Sequence, residues 1–339
     1  MNTASSRPVR IGILGAARIA PMALVRPARE VDGVVVAAVA ARDQQRAHAF
    51  AHKHGIARVH GSYDALLKDP DLDAVYNPLP NSHHKALTIA ALQAGKHVLC
   101  EKPLAANADD ARAMHDAAVA AGRVLMEAFH WRYHPLAQRV VDDAIVHQRL
   151  GKLARVRASF AIPLLLPGDI RFRADLAGGA LMDTGCYTVN IVRTFCGVAG
   201  TSRALVVDEA RALLSSPGVD RAFFGKMHTD DGIAVEIECS LMSTNLFSAR
   251  AVIEGERGRI DVWNPVVPQF FHRLRTRIDG ASSSITVPGR ASYTHQLEAF
   301  RDAVVAGAAF PSTSHDGIAN MATIDALYDK AGLPRRHSS

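Results

Sequence analysis

Cysteine is scarce in this chain, and none of its four cysteines, Cys100, Cys186, Cys196 and Cys239, forms a C-x-x-C pair. All four lie in or beside apolar runs, which fits buried reduced thiols and argues against a disulfide framework or a zinc site. Also missing is any uninterrupted apolar stretch of about 18 residues, so no membrane-spanning helix is expected. The opening MNTASSRPVR has no apolar core of a signal peptide, and the expected compartment is the cytoplasm. There is no block of basic residues either. The net charge of +6 comes from lysines and arginines interleaved with acids, which speaks against nucleic acid and is accounted for more simply by a basic pocket for a phosphorylated cofactor.

What is present is length and pattern. At 339 residues, 48% of them hydrophobic, the chain is large enough for two cores, since one core stops growing at roughly 250 to 300 residues. The run Val9 to Leu14 ends in Gly15-Ala16-Ala17-Arg18-Ile19-Ala20 and flows into a helix-like segment. Strand, tight turn and helix in that order match the G-x-G-x-x-G/A dinucleotide fingerprint, with Ala17 standing where the second glycine is usual. A second apolar run, Val34 to Ala40, follows at the distance a parallel crossover needs and ends in Ala41-Arg42-Asp43. Arg42 stands where an acid would hold a ribose 2′-hydroxyl, and its guanidinium suits a 2′-phosphate, so NADP is expected over NAD. Asp43 reads as the N-cap of a helix from Gln44 to His54.

Further strands are expected at Ala57 to His60 and Leu72 to Tyr76. The second empties into Asn77-Pro78-Leu79-Pro80-Asn81-Ser82-His83-His84, with Asn81 or Ser82 capping a helix to Gly95. Lys96 to Cys100 is the next strand and delivers Glu101-Lys102-Pro103 to the carboxyl edge of the sheet, where open α/β sheets bind ligands. Asn107 and Gly122 bracket a helix, and Arg123 to Phe129 returns as a strand into His130-Trp131-Arg132-Tyr133-His134-Pro135. The adjacent His83 and His84 point different ways on a helix, and Pro135 disfavours helix at His134, so neither histidine pair predicts a metal site.

A helix is predicted over Pro135 to Leu150 and a strand over Ala154 to Ile162. Then comes a segment in which Asp183, Tyr187 and Asn190 recur at i, i+4 and i+7, on one face of an otherwise apolar helix. From Thr201 the pattern is β-rich: Arg203 to Val207, Arg221 to Met227, Ile233 to Ser240, Phe247 to Glu254, Gly258 to Trp263 and Gln269 to Ile278. Asp230-Asp231-Gly232 and Glu254 to Gly258 read as turns between them. Helices at Tyr293 to Gly307 and Ile318 to Gly332 close the chain, and the final RRHSS is expected to fray.

Taken together, LGAARIA, the arginine after the second strand, NPLPNSHH, CEKP and EAFHWRYHP resemble the Gfo/Idh/MocA oxidoreductases in order and spacing. The branch containing glucose-fructose oxidoreductase, dimeric dihydrodiol dehydrogenase and NADP-dependent aldose dehydrogenases is the most similar. The resemblance implies an α/β protein: an N-terminal Rossmann domain with a doubly wound parallel sheet (1–130), then an α+β substrate and dimerisation domain (131–339) with a large, open, mostly antiparallel sheet. The C-terminal helices are expected to pack back on the first domain. It further implies that Lys102 is the catalytic lysine, that Lys102-Pro103 is cis, and that Asp183 and Tyr187 face the nicotinamide. The cofactor is expected along Gly15, Ala16, Ala17, Arg18, Ile19, Arg42, Pro78, Leu79, Asn81, His84, Glu101, Lys102, Trp131 and Arg132. The substrate is expected against Lys102, Trp131, Arg171, Asp183 and Tyr187.

The chemistry that fits is hydride exchange between a nicotinamide and a carbinol carbon of a sugar or cyclic diol. Tyr187 is the expected acid/base, with Lys102 favouring its phenolate and Asp183 orienting Lys102 or a substrate hydroxyl. Which of Lys102 and Tyr187 moves the proton stays open on sequence alone. A non-catalytic NADP-binding regulator and an NAD-dependent lyase or hydrolase are the alternatives. Many antiparallel strands with one exposed apolar face call for cover, and a homodimer or homotetramer through that sheet is expected.

Overall fold

The computed structural model describes residues 7–164, 166, 168–201, 205–244 and 247–339. Its first half is a six-stranded parallel sheet built from β1 (Val9–Leu14), β2 (Val34–Ala40), β3 (Arg58–His60), β4 (Ala74–Asn77), β5 (His97–Cys100) and β6 (Leu125–Glu127). The spatial order β3-β2-β1-β4-β5-β6 is that of a doubly wound dinucleotide fold. The central strands are mostly apolar because helices cover both faces: α1 (Gln44–His54), α2 (Tyr63–Leu67), α3 (His84–Gln93) and α4 (Ala108–Ala121).

Local chemistry sets the helix ends. Asp43 accepts from the Arg46 N–H at 3.0 Å and Asn107 from that of Asp110 at 2.9 Å, while Gly55 and Gly122 take the left-handed conformation that closes α1 and α4. Two expectations needed correction. No side chain caps α3, because Asn81–His83 winds first into a 3-10 turn. The segment after Gly15 is only a π turn (Pro21–Val25) and a 3-10 turn (Pro27–Arg29). Pro27 lacks the N–H a continuous helix would need there.

Strand register aligns the functional loops. Leu14 pairs with Ala40, Ile13 with Tyr76, Asn77 with Cys100, and Cys100 with Glu127. The Gly15 turn, Arg42, the Pro78 loop, Lys102 and the His130 segment therefore leave one edge of the sheet. The Lys102–Pro103 peptide is cis.

The second sheet has eight strands in the order β14-β13-β12-β11-β7-β10-β9-β8. They are β7 (Leu153–Ala161), β8 (Leu205–Ser216), β9 (Val219–Thr229), β10 (Ala234–Ser240), β11 (Ser248–Gly255), β12 (Gly258–Trp263), β13 (Arg273–Ile278) and β14 (Ala281–Ile285). All neighbours pair antiparallel except β7 and β10. Period-two alternation points Val156, Ala158, Phe160, Val235, Ile237, Cys239, Ala251 and Ile253 into a core, and α6 (Cys186–Phe195) packs there against β7, β10 and β11. Gly185 permits this close approach, since a Cβ there would lie 2.9 Å from Cys239 Sγ.

The expected helix from Pro135 is shorter than predicted. It is α-helical only through Val141 (α5) and widens into a π turn over Asp142–Val146. β8 runs on to Ser216, nine residues past the predicted end at Val207, because pairing with β9 overrides its charged, exposed sequence; Arg203 and Ala204 of the predicted strand lie outside the described residues. β14 has no apolar signal, being an exposed ASSSI edge. The last helices are α7 (Ser292–Ala306) and α8 (Ser314–Lys330). α8 packs on both α4 and β8, and α7 packs on β1 and on the His130–Tyr133 turn.

The C-terminal segment is tied down rather than frayed. Arg336 is buried and donates to Gly178 O and Gly218 O at 2.8 Å, and its Nη2 lies 2.8 Å from Asp220 Oδ1. Asn107 donates to Arg336 O, and Ser338 and Ser339 bond Asp110 and Ser82. One strap thus joins Asp220 of the second sheet to the start of α4 and the turn before α3 in the first half.

Candidate active site

Lys102 stands at the centre, three-quarters or more of its side chain shielded, with Nζ 3.1 Å from both the main-chain oxygen and Oδ1 of Asp183. Burial is the largest single influence and works against its ammonium, but the nearby acids together, Asp183 first and Glu101 among them, more than offset it and raise its pKa above the usual lysine value. Burial likewise works against the Asp183 carboxylate, and Lys102 and then Arg171 more than offset it, leaving Asp183 below the ordinary carboxylate value. Arg171 Nε reaches Asp183 Oδ2 at 2.8 Å, and Arg171 Nη1 lies 3.2 Å from Asp169. A charged triad thus spans the seam between β5 and α6. An ammonium has three hydrogens, and two are committed to Asp183, so one remains to address a substrate oxygen.

Asp183 lies in a π turn (Leu181–Gly185) that runs into α6. Such turns recur at functional sites because the widened register re-aims side chains. The turn is anchored from below by buried Asp220, whose Oδ2 accepts from the Leu181 N–H at 2.6 Å and whose Oδ1 accepts from the Tyr328 hydroxyl and Arg336.

Tyr187 is one helical turn beyond Asp183. Its ring meets Phe129 and Phe160 edge-on, both at 5.5 Å between centroids, and Lys102 Nζ lies 4.8 Å from its centroid, over the ring face. The expected ammonium-stabilised phenolate is not what this geometry produces. Burial, and then the Glu101 carboxylate, push the phenol well above its ordinary value, and its hydroxyl is directed at His130 Nε2, 3.2 Å away. Tyr187 is a neutral phenol here. Asn190, expected on the same polar stripe, instead accepts from Trp131 Nε1 at 3.1 Å.

Trp131 and Arg132 were expected to touch ligand, and the structure puts both to structural use. Trp131 has no exposed surface and packs edge-on against Phe195. Arg132 and Arg193 both pair with the buried Asp316, at 2.6 and 2.9 Å. Glu127, beside that cluster, accepts from the Leu104 N–H at 2.8 Å; burial and then Asp316 raise its pKa to about 8. His84 likewise serves the loops. Its ring nitrogens are 2.9 Å from Pro103 O and Leu79 O, fastening the lysine loop to the Pro78 loop, and burial lowers it to about 4. Glu101 accepts from the Tyr76 hydroxyl at 2.6 Å. Pro78 is buried, and Asn81 donates to Ala177 O at 3.0 Å.

The nucleotide end is built around Gly15. Its φ of +94° and the 2.9 Å approach of Leu79 Cδ2 to a notional Cβ leave no room for a side chain there. Ala16, Ala17 and Ile19 are partly exposed along the turn, and Ala17 adds only a methyl. Arg18 is mostly exposed and reaches Asp169 at 3.0 Å. Arg42 is exposed at the end of β2. Sequence reasoning missed two neighbours: Arg46, whose Nη2 is 3.4 Å from Ala16 O, and Tyr63, whose hydroxyl faces both Gly15 and the Arg42 backbone. Arg46 was recoverable, since it lies in the first turn of α1, only four residues past Arg42. A Gly cradle beside two guanidiniums and an aromatic ring fits an adenosine 2′-phosphate. The described residues contain no cluster of three or more His, Cys, Asp or Glu able to hold a metal.

A dinucleotide fold whose carboxyl edge carries a lysine–aspartate pair against a buried tyrosine defines a nicotinamide-dependent oxidoreductase. Comparison with known proteins then supplies the family. Residues 9–129 match the oxidoreductase family with an NAD-binding Rossmann fold, and residues 139–261 match the GFO/IDH/MocA C-terminal domain. The chain belongs to the Gfo/Idh/MocA oxidoreductases. It is 38% identical to a D-xylose 1-dehydrogenase (NADP(+)) of Haloferax volcanii, over 94% of this chain and 96% of that one. It is 35% identical to a dTDP-3,4-didehydro-2,6-dideoxy-alpha-D-glucose 3-reductase of Streptomyces violaceoruber, over 89% and 87%. A 3-ketoreductase from Actinomadura kijaniata, solved with NADP and TDP-benzene, superposes with a TM-score of 0.86 at 28% identity, covering 96% of this chain and 98% of that one.

Proposed function

We propose that this enzyme is an NADP-dependent sugar dehydrogenase or reductase, acting in the cytoplasm on a carbinol or carbonyl carbon of a free or derivatised sugar. The observation that carries the reading is the Lys102–Asp183 pair beside Tyr187, on the edge that also holds the Gly15 cradle and Arg42. The named relatives act on sugars, and one is named for NADP, which supports both halves. When bound, the nicotinamide supplies the hydride chemistry. The chain's own residues do the rest: Arg42 and Arg46 hold the 2′-phosphate, Asp183 keeps Lys102 protonated, and Lys102 aims its free N–H at the substrate oxygen. Arg171, shared between Asp169 and Asp183, borders the substrate side.

The direct test follows absorbance at about 340 nm, where reduced nicotinamide absorbs, with NADP+ or NAD+ and a sugar panel headed by D-xylose. NADP+-dependent turnover of a sugar is expected. A protein that binds NADPH yet turns over none of the panel in either direction would favour a regulatory role instead. The reading includes a homodimer or homotetramer through the open face of the second sheet. That face is charged rather than apolar: Arg157 pairs with Glu254, Lys226 with Glu209, and Arg250 with Asp261. Its hollow of about 630 Å3 has Arg157, Glu209, Lys226, Arg250 and Val252 in its lining.

A further inference from the structure

His130 was not among the expected site residues, yet it is the hydrogen-bond partner of Tyr187. Its ring is buried, stacked on Tyr293 at 3.8 Å between centroids with 28° between planes, so it cannot turn without disturbing α7. His130 Nδ1 is 2.8 Å from Ser292 Oγ, and Ser292 donates its hydroxyl hydrogen to Gln269 Oε1 at 2.9 Å. A serine hydroxyl has one hydrogen, so Ser292, having given it to Gln269, can only accept from the imidazole. That places the ring hydrogen on Nδ1 and leaves Nε2 bare. A bare Nε2 accepts, so the hydrogen between the two residues belongs to Tyr187. The ring is neutral, because burial and then the nearby Lys102 lower it to about 3.

We infer that His130 is a positioning residue for Tyr187: the chain Gln269–Ser292–His130 fixes the imidazole tautomer and thereby turns the Tyr187 hydroxyl hydrogen away from the reacting oxygen. The inference deepens the sugar oxidoreductase reading and rests on it. Tyr187 then meets the substrate with oxygen lone pairs and can accept a hydrogen bond from a substrate hydroxyl. In carbonyl reduction the proton comes from Lys102. One N–H bond of the ammonium breaks, an O–H bond forms on the substrate oxygen, and the electron pair stays on Nζ as an amine that water reprotonates. The hydride half is the nicotinamide's.

The decisive measurement does not need turnover. Long-range 1H–15N correlation on protein labelled with 15N-histidine should show His130 with a protonated Nδ1 and a bare Nε2, and Ser292→Ala should lose that preference. A wild-type Nε2–H tautomer would overturn the inference. In kinetics with D-xylose and NADP+, Ser292→Ala and His130→Phe should each lower kcat about three- to tenfold, the worth of one oriented hydrogen bond, with KM and NADPH affinity unchanged. The double variant should be no slower than His130→Phe alone, since Ser292 acts through His130. His130→Gln, whose side-chain oxygen can reach the Nε2 position, should recover most of the loss. Multiplicative losses in the double variant, or no rescue by glutamine, would count against the chain. A wild-type protein inert toward every sugar would defeat the functional reading instead, and the tautomer would still decide the role of His130.

Discussion

Each cation at the site has a different task, and single substitutions should separate them. Lys102→Met keeps the stem and removes the ammonium; turnover should fall below detection while NADPH binding, followed by its fluorescence, persists. Retained turnover would place the proton chemistry elsewhere. Arg42 and Arg46 flank the Gly15 turn, and a charge-assisted bond to phosphate is worth about 1.5 to 3 kcal/mol, or roughly ten- to a hundredfold in affinity. Arg42→Ala and Arg46→Ala should each weaken NADP by about that factor and leave NAD nearly untouched. Equal losses for both cofactors would remove the basis for the NADP assignment. Lys102 was legible as a lysine at a strand end, but its pairing with the Asp183 main-chain oxygen as well as Oδ1 was not.

The elements behind the site are held by buried charge. Glu127 on β6, Asp316 on α8 and Arg132 and Arg193 form one cluster. With its pKa raised from 4.5 to about 8, Glu127 binds a proton in the folded state that the unfolded chain has released, so its contribution makes stability fall as pH rises between those values. The buried histidines act oppositely. His84, His130 and His134 are lowered to about 4, 3 and 4, so they make stability rise with pH and have finished doing so near their unfolded value of 6.5. Between about pH 7.5 and 8, roughly a unit above that value, the Glu127 effect stands alone among these groups, at up to about 1.4 kcal/mol per pH unit. Glu127→Gln keeps an acceptor for the Leu104 N–H and should flatten the melting temperature across that window. An unchanged slope in a thermal melt series would show that Glu127 is not the source.

At the scale of the whole molecule, α8, α7 and the Arg336 strap bind the two sheets into one body, which fixes Lys102 from one half against Asp183 and Tyr187 from the other. The open sheet face is the surface left over. Val252 sits near its middle, among Arg157, Arg250 and Glu254. If copies meet there, Val252→Glu buries an unpaired charge in the interface. Light scattering should then report a monomer in place of the wild-type dimer or tetramer. An unaltered mass would move the interface off this face.

Short-range signals in the chain determined much of this. The turn after β1, the caps Asp43 and Asn107, the period-two strands and the lysine after β5 all depend on neighbours a few residues away, and each reads directly from residue type and spacing. Together with the family resemblance they give the fold and name Lys102, Asp183 and Tyr187. Tertiary structure decided which polar groups meet across long separations. Trp131 could have faced ligand, but Asn190, 59 residues away, claims its N–H. His130 had no assigned role until Ser292, 162 residues on, met its Nδ1 at 2.8 Å. A buried donor or acceptor must find a partner, and which partner reaches it depends on how the sheets and the last two helices pack, which no local pattern records.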